Sequence, residues 1–457
     1  MPTADELNRK GADLYLQGDL IGARLHYTAA LQVNPGLLSA MKNLAVTLAS
    51  QGQLHAAVAL LYRIVSVDPN DGNQWNNLGN ILTRLERYLE ANDAFNIAAK
   101  IIPEDSGFWH NVALLQHRMG KYDDALQSIE KAESLGRNGY DLDNDKAHML
   151  LAKGNLEQAL VLYEARWNTL IHLPPWDYHI PEWQGEDLNG KQILLHMEQG
   201  FGDTIMSVRF IDNLLALGAK VTLCVSKSLI RLFANNWPSI DVVDINTLDE
   251  DLAKHFDFQS PMYSTMRWLG ITTNSISSKP YIKAPALAVP PVYKGIRNVG
   301  ICWASGKRNA DIDWRRRVTD LKNWLILATL PDVQLWSLQK DEERNVIEAL
   351  GAETLVCDIM PRLDDWAETA AFVNKLDVIV SVDTAIAHLS AAMGKPTIML
   401  SQFSNCWRWW NIESKSGRPW YDCMTIFKQP EPRDWEYTIS EAFSMLALGA
   451  KEMKVAA

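Results

Sequence analysis

The sequence predicts an all-α solenoid of helical hairpins followed by two α/β lobes. Three observations predict it. Small residues recur every 34 positions through the first third of the chain. The period fades after residues 163–167, where a Pro- and Trp-rich stretch begins. Beyond it, short apolar runs alternate with helical stretches, the pattern of parallel sheets covered by helices. The boundaries fall at 1–168 for about five repeats, 169–190 for a linker, 191–285 for the first lobe and 286–457 for the second.

The repeat is read from four series. Ala23, Ala57, Ala91, Ala125 and Ala159 lie 34 residues apart, and Gly11, Ala45, Gly79, Ala113 and Ala147 keep the same step. Small residues there let two helices of a hairpin approach closely. Gly18, Gly52, Gly120 and Gly154 mark the turn between them, with Glu86 as the exception. Pro35, Pro69 and Pro103 end the second helix. Trp75, Leu78, Gly79, Tyr88, Ala91, Phe95, Ala98 and Pro103 resemble the tetratricopeptide pattern. The resemblance implies a solenoid with a concave binding face. Asn43, Asn77 and Asn111 also recur at 34, on the first helix of each unit, the helix that usually lines that face. Each amide offers a donor and an acceptor. The ladder can grip a peptide backbone or tie one repeat to the next, and both readings stay open.

In the lobes, strands are expected at 192–197, 220–225 and 241–245, and then at 299–303, 333–338, 354–357, 376–382 and 396–400. A helix is expected over 203–217, and another over 384–393. Two such lobes form a cleft at the carboxyl ends of their strands, the expected active site.

Composition narrows the functions. A net charge of −11 disfavours general nucleic-acid or anionic-membrane binding. The five cysteines show no C-x-x-C spacing, which favours reduced thiols and a cytoplasmic setting. Residues 1–6 lack the basic start and apolar run of a signal peptide. No apolar run reaches the roughly 18 residues of a membrane span. G-x-S-x-G, G-x-x-x-x-G-K-[ST] and H-E-x-x-H are absent.

Four segments are able to carry chemistry. In Glu198-Gln199-Gly200-Phe201-Gly202-Asp203, the glycines Gly200 and Gly202 permit a tight turn and close backbone approach to a ligand. Asp203 sits at a helix start, where capping is its commonplace role. In Ser381-Val382-Asp383-Thr384-Ala385-Ile386-Ala387-His388, a buried strand runs into a helix. Its free N–H groups at Thr384 and Ala385 suit a phosphate, with His388 one turn in. The bland alternative is a cap at Asp383 and a core histidine. Trp303-Ala304-Ser305-Gly306-Lys307-Arg308, running on to Arg315-Arg316-Arg317, concentrates cations in an acidic protein and suggests a diphosphate clamp. The Asp311-Ile312-Asp313 within it matches a D-x-D metal motif, but three-residue matches are frequent. Trp407, Trp409, Trp410, Trp420 and Tyr421 either pack or stack on a ring.

Taken in order, these motifs resemble a bacterial family of tetratricopeptide-repeat glycosyltransferases. The resemblance covers nearly the whole chain, the repeats first and then Tyr163-Glu164-Ala165-Arg166-Trp167, the Gly-x-Gly-Asp loop, Gly300-Ile301-Cys302-Trp303-Ala304, Leu338-Gln339-Lys340 and Ser381–Leu389. The catalytic half is similar to heptosyltransferases. The layout is like that of O-linked N-acetylglucosamine transferases and repeat-bearing flagellin glycosyltransferases. It implies a double-Rossmann, GT-B-like fold and metal-independent transfer from a nucleotide-sugar co-substrate, with no further cofactor. The acceptor it implies is a protein hydroxyl, as in flagellin, held by the repeats, and Asn43, Asn77 and Asn111 are the candidate acceptor-binding residues there. Asp203 is the implied general base. Trp303, Lys307, Arg316, Gln339, Asp383, Thr384, Ala385 and His388 are the implied donor-binding set. Arg316-Arg317-Val318 stands where the family usually shows Arg-Ser-Ile, and Arg418-Pro419-Trp420-Tyr421-Asp422 where it shows Ser-Pro-Trp-Tyr-Pro. A non-catalytic scaffold and a lipopolysaccharide-type sugar transferase are the rival readings.

Overall fold

The computed structural model describes residues 1–169, 179–248, 250–306, 317–404, 406–409 and 420–449. The chain divides into two compact units, Met1–Met149 and Leu150–Ala457.

The first unit consists of helix pairs, beginning with Ala4–Leu16 against Leu20–Val33 and Leu38–Ser50 against Leu54–Val67. Two of its small residues explain the close approach. A Cβ on Gly11 would lie 2.7 Å from the Tyr27 ring, and one on Gly79 would lie 2.6 Å from the Phe95 ring. Where the first helix carries Ala45 or Ala113 instead, the matching positions hold the smaller Leu61 and Ile129. Gly18, Gly52 and Gly120 take positive φ at the hairpin turns, and so does Glu86, at 62°. The turn thus imposes its conformation even on a residue that resists it. Trp75 and Trp109 donate their indole N–H groups to the Pro69 and Pro103 carbonyls, at 2.9 and 2.8 Å. Each tryptophan therefore fastens its helix to the end of the preceding unit.

The second unit starts with the helix Leu156–Leu162 and a 3-10 turn at Tyr163–Asn168. Two wholly parallel sheets follow. The first contains β1 (Gln192–His196), β2 (Lys220–Val225), β3 (Asp241–Asp244) and β4 (Phe258–Pro261), ordered β3-β2-β1-β4. The second contains β5 (Arg297–Cys302), β6 (Val333–Ser337), β7 (Val356–Asp358), β8 (Val378–Val382), β9 (Thr397–Ser401) and β10 (Met424–Lys428). Its order is β10-β9-β8-β5-β6-β7. The expected strands are present, β2 with the expected bounds and the others with ends shifted by at most two residues. β4 and β10 were not foreseen. β4 is only half-buried at its start and ends on Pro261, so it has little apolar signature. The helix expected over 203–217 is broken into Phe201–Ser207, a 3-10 turn and Ile211–Ala216.

In both sheets the central strands, β1 with β2 and β5 with β8, are buried along nearly their whole length. Their carboxyl ends deliver the loop before Asp203, the segment 303–306 and the Asp383–Ala385 junction, the edge where open α/β sheets bind ligands. Among the described residues, no helix is long and apolar enough to cross a membrane.

Candidate active site at the meeting of two helix starts

The helix Phe201–Ser207 follows β1, and the helix Ala385–Ala392 follows β8. Their amino-terminal turns touch. A Cβ on Gly202 would lie 2.9 Å from His388 Cδ2 and 3.4 Å from the Ala385 Cα. Gly202 is therefore required by the opposite helix. The backbone strain falls beside it, on Gln199, whose φ is +59°. Such strain in a non-glycine residue persists only where the surroundings over-determine it.

Those surroundings are built from the Tyr163–Trp167 motif. Arg166 is fully buried and grips the Glu198 carboxylate with two N–H groups, at 3.0 and 3.2 Å. It also donates to Ser264 Oγ at 2.9 Å. Glu198 in turn accepts the Tyr263 backbone N–H at 2.6 Å. Burial pushes the Glu198 carboxyl up, against the pull of the Arg166 guanidinium. The Gln199 side chain donates to the Tyr163 hydroxyl at 2.6 Å. The two motifs, more than thirty residues apart, thus form one support for the loop that ends in Asp203.

Asp203 is third in its helix, and its Oδ2 accepts the Gly200 N–H at 3.0 Å. The expected capping is real, but it reaches back from inside the helix. Asp203 Oδ1 accepts the Tyr263 hydroxyl at 2.6 Å and forms an ion pair with Arg408. Arg408 also lies 2.9 Å from the Tyr263 oxygen and 3.2 Å from Gln199 Oε1. Burial holds the Tyr263 hydroxyl well above its ordinary range, so it remains a proton donor. Burial lowers the Arg408 guanidinium to about 10, which leaves it charged at neutral pH. Sequence reasoning missed both partners. Tyr263 follows the unforeseen β4, and Arg408 lay in a tryptophan cluster read only for its rings.

At the second helix start, Thr384 is the N-cap residue, and its side chain makes no capping hydrogen bond. The Thr384 hydroxyl pairs with Ser381 Oγ at 2.8 Å. Asp383 is buried, with one carboxylate oxygen 3.9 Å from Arg317 and the other 3.9 Å from His388. Arg317 Nη1 lies 3.4 Å from the Asp383 carbonyl. Ser305 is 94% buried (6% exposed), and among the described residues its Oγ and the Arg317 Nε have no hydrogen-bond partner. Helix-start amides, the Arg317 guanidinium and a hydroxyl without a partner among the described residues gather here at a strand end, beside the buried Asp383 carboxylate, a set of donors able to hold an anion.

Several expected donor contacts are used otherwise. Trp303 is 1% exposed and packs in the second lobe's apolar core with Ile301 and Trp324. Gln339 is buried, and its amide is spent on the 303–304 backbone, accepting from Ala304 N at 3.0 Å and donating to Ala304 O at 3.1 Å. It shapes the 303–306 loop and leaves little of its amide for a ligand. His388 is fully enclosed, stacked on Trp409 at 5.0 Å and sharing a 2.9 Å hydrogen bond with Tyr421. Burial lowers its imidazole to about 4. It is thus the satisfied core histidine and supplies no cation near neutral pH. Lys307 and Arg316, together with Asp311 and Asp313, lie outside the described residues.

In the first unit the Asn readings separate. Asn43 donates to Asn8 at 3.1 Å and Asn111 to Asn76 at 3.0 Å, each across 35 residues. Asn77 has Lys42 at that offset and turns to Gln74 in its own helix. The Asn43 and Asn111 amides thus tie neighbouring repeats together, and the Asn77 amide does not.

Residues 327–429 match the family described as glycosyltransferase family 9 (heptosyltransferase), and residues 14–81 and 106–137 match tetratricopeptide repeat families. The chain carries tetratricopeptide repeats and a glycosyltransferase family 9 domain. Protein FlbA of Caulobacter vibrioides is 24% identical over 451 residues, covering 92% of this chain and 74% of its own length. Superkiller protein 3 of Schizosaccharomyces pombe is 31% identical over 77 residues, 17% of this chain and 6% of its own. A thermophilic TPR protein of Thermus thermophilus aligns at TM-score 0.33 and 21% identity, over 37% of this chain and 93% of its own. The family 9 match takes in β8, the helix Ala385–Ala392 and Arg408. It stops short of Asp203, whose surroundings are described by geometry alone.

Proposed function

We propose that the chain transfers a sugar from a nucleotide-sugar donor to an acceptor hydroxyl, on a protein segment brought by the repeats. The observation that carries this reading is the contact between two helix starts at Gly202, Ala385 and His388. It sets a carboxylate beside an anion cradle. The donor diphosphate lies at the helix start Thr384–Ile386, against Arg317 and the Ser305 hydroxyl. Oriented donors of this kind stabilise charge that develops on a leaving diphosphate. Asp203 takes the acceptor proton through Oδ2, which among the described residues accepts only the Gly200 N–H, whereas Oδ1 is engaged twice. Arg317 and the helix amides supply positive charge without metal, so chelator is expected to leave turnover unchanged.

The test is calorimetry with ADP, GDP, UDP and their sugar conjugates. One of these should bind, and Arg317→Met should weaken it about tenfold or more, as loss of a charge-assisted hydrogen bond does. Absence of binding to every member at millimolar concentration would overturn the reading.

A further inference from the structure

Arg408 stands between the two halves of this chemistry. It lies on the 3-10 turn Trp407–Trp409 of the second lobe and reaches three groups of the first, Asp203, Tyr263 and Gln199. The next residue, Trp409, stacks on His388 of the helix that begins the anion cradle. One turn of chain therefore spans from the carboxylate to the cradle. Among the described residues, the Arg408 Nε is buried without a hydrogen-bond partner. The guanidinium thus holds a donor in reserve.

We propose that Arg408 serves both ends of the transfer, its guanidinium passing from Asp203 to the leaving diphosphate as the sugar moves. The charge balance favours this. The acceptor oxygen bonds to the sugar's anomeric carbon while the bond from that carbon to the diphosphate oxygen breaks. The acceptor proton goes to Asp203, and the electron pair goes to the diphosphate. Negative charge disappears from Asp203 as it grows on the diphosphate. A neutral carboxylic acid holds a guanidinium more weakly than a carboxylate does. A cation held at Asp203, on a turn whose next residue packs on the helix after Thr384, is placed to follow that displacement. Tyr263 also binds Asp203 Oδ1 but carries no charge, so it only positions the carboxylate.

The inference rests on the glycosyl-transfer reading, and the experiment separates the two. Wild type, Arg408→Met, Arg408→Lys and Tyr263→Phe are titrated calorimetrically with ADP, GDP, UDP and inorganic pyrophosphate, and their turnover is measured. Arg408→Met should weaken diphosphate binding about tenfold and lower kcat about 10²–10³-fold, the cost of losing one preorganised donor. Added guanidinium ion should restore part of that turnover. Arg408→Lys should fall between the two and guards against a misfolded Met variant. Tyr263→Phe should lower kcat, keep diphosphate affinity within about twofold and gain nothing from guanidinium. Arg408→Met with diphosphate affinity unchanged, and turnover lost only as far as in Tyr263→Phe, would overturn the inference and leave Arg408 a positioning residue. A wild type that binds none of the four probes would remove the glycosyl-transfer reading and this inference with it.

Discussion

The two units bury different things. Among the described residues of the repeat unit, no Asp, Glu, Lys or Arg is buried. Its interior is Ala, Leu and aromatic rings fitted to glycines. The α/β unit buries Arg166, Glu198, Arg209 and Asp383, and all but Arg209 sit beside the two helix starts. Repeated packing builds its interior without buried charge, and replacements cancel, as Gly opposite Tyr27 or Phe95 gives way to Ala where Leu61 or Ile129 stands. A site that handles charge has no such freedom, because each buried ion needs its partner. Substitutions should therefore be graded in the repeats and abrupt in the site.

The largest effect is expected at the base. Asp203→Asn keeps an oxygen for the Gly200 N–H, so the helix start survives, while turnover falls about 10²–10⁴-fold. Near-normal turnover of the purified Asn variant would remove Asp203 from the mechanism. Next comes Arg166→Met, which strands the buried Glu198 and should lower unfolding free energy by about 3–5 kcal/mol in urea titrations. A loss under about 1 kcal/mol would show that the loop does not depend on this pair.

The buried His388 gives a pH test. Its imidazole is lowered to about 4 by burial, from 6.5. The unfolded chain therefore takes up a proton between these values while the folded chain does not. Stability is complete above pH 6.5 and declines as pH falls toward 4, by about 1.4 kcal/mol per pH unit for this group. His388→Gln should flatten that part of the stability curve. Smallest is the repeat unit. Asn111→Ala should cost about 1 kcal/mol, the worth of one hydrogen bond. Glu86→Gly should raise stability by about 0.5–1 kcal/mol, because φ is 62° there. Losses of several kcal/mol from Asn111→Ala would erase the contrast between the units.

The same contrast decides what could be read in advance. In the repeats, a contact joins residues at a fixed step, 16 from Gly11 to Tyr27 or 35 from Asn8 to Asn43, so periodicity reveals it. The parallel sheets were legible too, because their central strands are continuous apolar runs. The partners of Asp203 are not periodic. Tyr263 is 60 residues away and Arg408 is 205, on segments whose composition marks no contact with a carboxylate. Motif resemblance brought out Asp203 and the Asp383–His388 junction. It also carried over Trp303, Gln339 and His388 as ligand contacts, although burial assigns them to the scaffold. A tryptophan or glutamine looks the same in sequence whether its ring or amide faces a ligand or its own backbone.

The 35-residue rungs on a 34-residue period bear on how such a solenoid changes length. Asn77 lacks a rung because Lys42 occupies the place 35 residues before it. Excising residues 36–69 removes one whole period and joins Pro35 to Asn70, two chain ends that already lie between repeats. Asn77 then stands 35 residues after Asn8 and gains the partner that Asn43 had. The register of the ladder survives the loss of a module, since every rung spans one period plus a single residue. Shortening by a whole repeat is therefore a change the hydrogen-bonding pattern absorbs, whereas loss of even one residue between the two partners of a rung puts that rung out of register.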